Sequence, residues 1–214
     1  ESVLEDAEKQ IYEITTKGNS SDRLIAFQEL IDETWSRIEK LSDNTGGLRG
    51  TPSGFKELDN KLSGFQPSDL IILAARPSVG KTSLALDFAR NAAVKNNIPV
   101  AIFSLEMSKE QLVDRMLSAQ SQVDGWKLRT AKLSLDEEFQ RLQQGMHELM
   151  KAPIYVDDKA ANSILNMRST LRRLNSDRPI GLIIVDYLQL MSTAKSYDNM
   201  VNQITEISRA LKQL

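Results

Sequence analysis

The sequence predicts an α/β fold, a mostly parallel sheet with helices on both faces. Three observations carry that expectation. From residue 70 onward, short apolar runs alternate with longer amphipathic stretches, the pattern of parallel strands joined by helical crossovers. One run, "LIILAA" (70–75), leads straight into "RPSVGKTS" (76–83). Another, "LIIVD" (182–186), ends on an aspartate.

The elements follow in order. "VLEDAEKQIYEI" places Val3, Leu4, Ala7, Ile11 and Ile14 on one helical face. "KGNSSD" breaks the pattern, and "RLIAFQELIDETWSRIEKL" resumes it, with Leu24, Phe27, Ile31, Trp35, Ile38 and Leu41 in one stripe. Residues 42–55, rich in glycine and small polar residues, read as a linker or a series of turns. Strands are then expected at 70–75, at "VAIFS" (100–104), at "IYVDD" (154–158) and at 182–186. The intervening helices are "KTSLALDFARNAAVKNN", "SKEQLVDRMLSAQSQ", one starting near "SLDEEFQRL", and "SILNMRSTLRRLN". "NMVNQITEISRALKQL" is the last helix. Ser108 with Gln111, and Ser134 with Glu137, are spaced as capping boxes.

Composition narrows the function. The 214 residues suit one domain with an appendage, and 41% hydrophobic content provides for a packed core. The absence of cysteine excludes disulfides and thiolate metal sites, and a single histidine, His147, argues against a histidine-based metal centre. No apolar run approaches the length of a membrane span. A net charge of −2 is not that of a nucleic-acid coat, so any DNA contact must come from a local loop or from a channel assembled from several subunits.

The run 76–83 has the makings of a phosphate loop. A polyphosphate needs inward-pointing N–H groups and a cation, and a strand-to-helix turn supplies both. Gly80 removes the side chain from the approach, Lys81 reaches the phosphates, and the hydroxyl of Thr82 is a magnesium ligand. Arg76, Pro77, Ser78, Val79 and Ser83 complete the cradle, with Pro77 stiffening it. Ala75 stands where the usual pattern has its first glycine. Asp186, ending an apolar strand, is placed as a second metal-holding group, and Gln189 could sense the same site. Two roles fit Glu106, just past the second strand: orienting an attacking water, or favouring the start of the next helix by its charge.

The blocks "GFKELDNKLSGFQPSDLIILAARPSVGKTSLAL", "VAIFSLEMSKEQLVDRML", "LRTAKLS", "IYVDD", "LIIVDYLQLM" and "EISRALKQL" together resemble the motor domain of replicative DNA helicases of the DnaB type. The resemblance covers residues 46–214 well and the leading helices more weakly. It implies a RecA-like P-loop NTPase and a homohexameric ring. It also implies ATP with Mg²⁺ as cofactors and ATP-driven 5′-to-3′ movement on single-stranded DNA at a bacterial or phage replication fork in the cytoplasm. It makes Ala75 an expected residue and Glu106 the catalytic glutamate, with Lys81 on the phosphates and Thr82 and Asp186 on the metal. Residues 1–45 become linker helices that dock on the adjacent subunit and lead from a collar that this chain lacks. Primase and a helicase loader become expected partners. A channel-facing loop over 192–203 would offer Lys195, Asn199 and Asn202 to DNA.

By the same resemblance, the chain is expected to lack the later strands, a phosphate-sensing glutamine and the arginine finger. The isolated fragment is therefore expected to hydrolyse ATP weakly or not at all. Two rivals stand beside the motor. An ATP-binding assembly or loader module would need little hydrolysis of its own. A small-molecule kinase would need a lid with clustered arginines, and only Arg172 and Arg173 are adjacent, on a helix patterned as a solvated face.

Overall fold

A computed structural model describes residues 26–43, 48–133, 136–160, 162–191 and 200–214. The expected first helix, Ser134, Lys195 and Asn199 lie outside them. The chain divides into two compact units, Glu1–Gly47 and Leu48–Leu214. In the first, helix α1 spans Phe27–Asp43. Its stripe of Phe27, Ile31, Trp35 and Ile38 is exposed, and the Trp35 indole N–H donates to Glu39 one turn on, at 2.9 Å.

The second unit opens with turns that become a clasp. Thr51 bridges Phe65 in antiparallel fashion, and helix α2 (Lys56–Leu62) lies between them. Buried Asp59 accepts from the backbone N–H groups of Ser53 and Gly54, at 2.8 and 3.2 Å. Helix α3 (Lys81–Arg90) continues as a π-helical turn, Asn91–Lys95. The expected single helix over 81–97 therefore changes geometry at Asn91, whose amide reaches sideways to the Ser53 carbonyl at 3.1 Å. Phe55 and Phe65 of the clasp meet Phe88 of α3 edge-on, at 5.7 and 5.1 Å between centroids.

Strand β1 (Val100–Ser104) is followed by α4 (Lys109–Ser121), α5 (Gly125–Thr130) and α6 (Asp136–Lys151). Then come β2 (Ile154–Asp157), α7 (Ile164–Asp177), β3 (Leu182–Asp186) and α8 (Met200–Lys212). The sheet order is β2-β1-β3, and both pairings are parallel. β1 is central and buried at all five positions. The period-2 geometry of a strand sends alternate side chains to opposite faces. Val100 and Ile102 pack with Leu86, Ala89, Ala92, Leu112 and Met116 on one side. Ala101 and Phe103 pack with Met167, Leu171, Met191 and Ile207 on the other. Helices therefore cover both faces, as the sequence predicts. In α6, Gly145 permits the close approach of α4, since a Cβ there would sit 3.1 Å from atoms of Ser121.

One expectation fails. Residues 70–75 form no strand; Leu70, Ile71, Ile72 and Leu73 are exposed, Ile72 to 71%. Apolar composition reports a demand for burial, whereas a strand also needs a hydrogen-bonding partner along its edge. Among the described residues both edges of β1 are taken, and no strand pairs with the outer edge of β3.

Phe103 is almost fully buried at the sheet centre. Phe103→Ala is expected to cost about 3–5 kcal/mol, read as a lowered denaturant midpoint with an unchanged slope.

Candidate active site

The phosphate-loop sequence wraps the start of α3. Gly80 is the N-cap, at φ 101° and ψ 22°. A Cβ there would meet nothing within 4 Å, so glycine is required by the left-handed backbone and not by space. Ser78 also has positive φ, at 63°. With no side chain capping α3, its first N–H groups are open to an anion.

β3 delivers Asp186 to this helix end. Its carboxylate is buried, accepting from the Thr82 hydroxyl through Oδ2 at 2.6 Å. Its other oxygen, Oδ1, pairs with Lys81 Nζ at 3.0 Å. The ammonium also stands 4.5 Å from the centre of the Tyr187 ring. Both carboxylate oxygens are thus satisfied, which is what a buried ion needs.

β1 delivers Glu106. Ser104 is opposite Asp186 in the parallel register, and the Leu105 N–H donates to the Asp186 carbonyl at 2.7 Å. The ladder therefore runs up to the residue before Glu106. Beyond it the turn is fixed from both sides. The buried Ser104 hydroxyl donates to the Met107 carbonyl at 2.7 Å and accepts from the Met107 N–H at 3.1 Å. Ser108 and Gln111 form the expected capping box, and the Lys109 N–H donates to Asp158 at 3.1 Å. In the first turn of α4, a bond from its own backbone N–H, then one from Ser108, holds the Glu110 carboxyl below the usual range. Glu106 is exposed and makes no hydrogen bond or ion pair with the described residues.

The phosphate loop, Glu106 and Tyr187 line one cleft of about 1170 Å³, and Asp186 is bonded to two of its lining residues, Lys81 and Thr82. Ala75 to Ser83 all line it except Val79, which is 71% exposed. Gln189 lines the cleft too. Arg76, Lys81, Arg90, Arg115 and Arg129 outnumber Asp87, Glu106 and Asp114 on its walls, so the cleft attracts anions although the chain does not. Arg115 donates to the Ser83 hydroxyl at 3.3 Å. Asn202 is exposed on α8, and Arg172 and Arg173 are exposed on α7.

Sequence reasoning missed Tyr187, Arg115, Asp87 and Arg90. Asp87 had a signal: it lies four residues past Ser83, hence on the same face of α3. Arg90 Nη2 donates to Asp87 at 2.9 Å and Nη1 to Gln120 at 2.8 Å. The Gln120 amide donates in turn to Glu148, which also accepts from Gln144 at 3.0 Å. These two bonds, Gln120 first, hold the Glu148 carboxyl below its ordinary value.

A parallel sheet covered by helices on both faces, with a phosphate-loop sequence opening α3 and a carboxylate ending β3, is the arrangement of a RecA-like ATPase domain. Residues 50–214 match the model of the DnaB-like helicase C-terminal domain, and the chain belongs to that family. It is 44% identical over 216 residues to the replicative DNA helicase DnaB of Geobacillus stearothermophilus, covering 99% of this chain and 46% of that protein. A solved ATPase domain superposes with a TM-score of 0.82 at 32% identity, over 89% of this chain and 67% of that one. The structure of a DnaB-like replicative helicase and its interactions with primase gives a TM-score of 0.77 at 31% identity, over 98% of this chain and 50% of that one. The chain spans about half the length of the curated relatives it matches. Among the described residues no helix is long and apolar enough to cross a membrane.

Ser104→Ala leaves the Met107 N–H without its partner beside a buried strand end. It is expected to cost about 1–3 kcal/mol and to speed amide exchange at Met107, read by native-state hydrogen exchange.

Proposed function

We propose that this chain is the ATP-hydrolysing motor of a replicative DNA helicase, driving 5′-to-3′ movement on single-stranded DNA as part of a homohexameric ring. The observation that carries the reading is one cationic cleft lined by Lys81, Thr82 and Glu106, with Asp186 bonded to the first two. The hard oxygen donors of Thr82 and Asp186 suit Mg²⁺, and the cleft has room for a nucleoside triphosphate. Magnesium bound there supplies charge neutralisation on the phosphates.

The chain's own residues do the rest. The N–H groups at the start of α3 cradle the phosphate oxygens. With nucleotide bound, Lys81 would pair with the phosphates, and Asp186 with Thr82 would hold the metal. Glu106, held on the turn after β1 and unpaired, orients the water for in-line attack and takes its proton. An arginine from a neighbouring subunit completes the charge stabilisation, which ties turnover to assembly. Lys195, Asn199 and Asn202, the last on α8, would contact the phosphate backbone of the DNA with salt-dependent affinity. The primase contact named for the solved relative extends to this protein on the same reading, as does a loader.

The test is unwinding of a forked duplex by the full-length protein. Lys81→Ala is expected to abolish unwinding and ATP turnover together, with a thermal melt confirming that it folds, because the change strips a partner from buried Asp186. Glu106→Gln is expected to bind nucleotide and lose at least about a hundredfold in turnover. Unwinding that persists without Lys81 would overturn this mechanism, and normal turnover in Glu106→Gln would return Glu106 to a role at the start of the next helix.

A further inference from the structure

The cleft wall continues along α3 beyond the phosphate loop, to Asp87 and Arg90. Asp87 lies four residues past Ser83 on α3, about 6 Å along the helix axis, and lines the same cleft. A nucleotide whose phosphates sit at the start of α3 would have its sugar as the next group along the cleft wall. A carboxylate repels phosphate and accepts from hydroxyl donors, so Asp87 is suited to the sugar and not to the phosphate chain. The same chemistry, an acidic residue on ribose hydroxyls, serves dinucleotide sites.

The group is also held for the purpose. Arg90 fixes one oxygen, Oδ1, at 2.9 Å. The other has no partner among the described residues, and the side chain is one-third exposed. Arg90 is itself braced by Gln120 on α4, which is braced by Glu148 on α6. An ordinary surface pair three residues apart on one helix has no such support from two further helices. Pre-organisation of this kind lowers the ordering cost of binding.

We infer that Asp87 is a specificity-determining residue that reads the ribose hydroxyls of the bound nucleotide, with Arg90 as its positioning residue. The inference rests on the cleft's being the nucleotide site and adds a preference for ribonucleotides over their deoxy analogues.

The experiment is equilibrium binding of ADP and of 2′,3′-dideoxy-ADP, both with Mg²⁺, to the full-length protein. The unsubstituted protein is expected to hold ADP about tenfold more tightly. In Asp87→Ala, ADP affinity is expected to fall to the dideoxy value, and the dideoxy value to stay put. Arg90→Gln is expected to narrow the ratio to an intermediate value while Asp87 is retained. Equal affinities in the unsubstituted protein would overturn the inference and leave the nucleotide site standing. So would equal loss of both ligands in Asp87→Ala. Failure of both ligands to bind the unsubstituted protein would bring down the nucleotide reading as well. The comparison within the unsubstituted protein decides the matter even if a variant does not fold.

Discussion

Asp186 ties the two walls of the cleft together. Its carboxylate joins the end of β3 to Lys81 and Thr82 at the start of α3, across 104 residues of sequence. Burying a carboxylate is costly unless both oxygens are engaged, and here each has a partner. The backbone carbonyl of the same residue accepts from Leu105, so β1 and its Glu106 turn are registered to the same point. Asp186 thus sets the spacing between Lys81 and Thr82 at the start of α3 and the turn that carries Glu106.

That link matters more because the sheet does not hold the phosphate loop by a ladder. Residues 70–75 take no strand partner, so the loop is located from its helix side. Leu86 and Ala89 of α3 are in the core under β1, and Phe88 sits between Phe55 and Phe65 of the clasp. The clasp is closed by Asp59 accepting two backbone N–H groups. At the other end of the chain, Lys212 Nζ donates to the Ser68 carbonyl at 2.6 Å, which ties α8 to the segment entering the loop. Apolar packing places α3, and Asp186 then orients its first turn.

Much of this is legible in the amino-acid order. Gly80 is needed for a backbone that other residues adopt at a cost, and Lys81, Thr82 and Asp186 carry their chemistry in their types. β1 and β3 read correctly because their apolar runs pair with each other in a parallel ladder. The capping box of Ser108 and Gln111 reads correctly because its bonds are local. Residues 70–75 have the same apolar character and no ladder, since pairing is decided by distant chain. Glu106 was ambiguous because its place depends on Ser104, Met107 and Asp158, contacts that sequence spacing does not show. Tyr187 under the Lys81 ammonium, and the brace from Asp87 to Glu148, arise only once β3, α3, α4 and α6 are assembled.

The central claim is that Asp186 exchanges an internal partner, Lys81, for a metal when nucleotide binds. The most direct measurement is the affinity of a fluorescent ADP for the full-length protein with and without Mg²⁺, in the unsubstituted protein and in Asp186→Asn. The account predicts tighter binding with Mg²⁺ in the unsubstituted protein. It predicts loss of that dependence in Asp186→Asn, with metal-free binding at least as tight, because Lys81 no longer has a carboxylate to leave. An undiminished Mg²⁺ dependence in Asp186→Asn would contradict it.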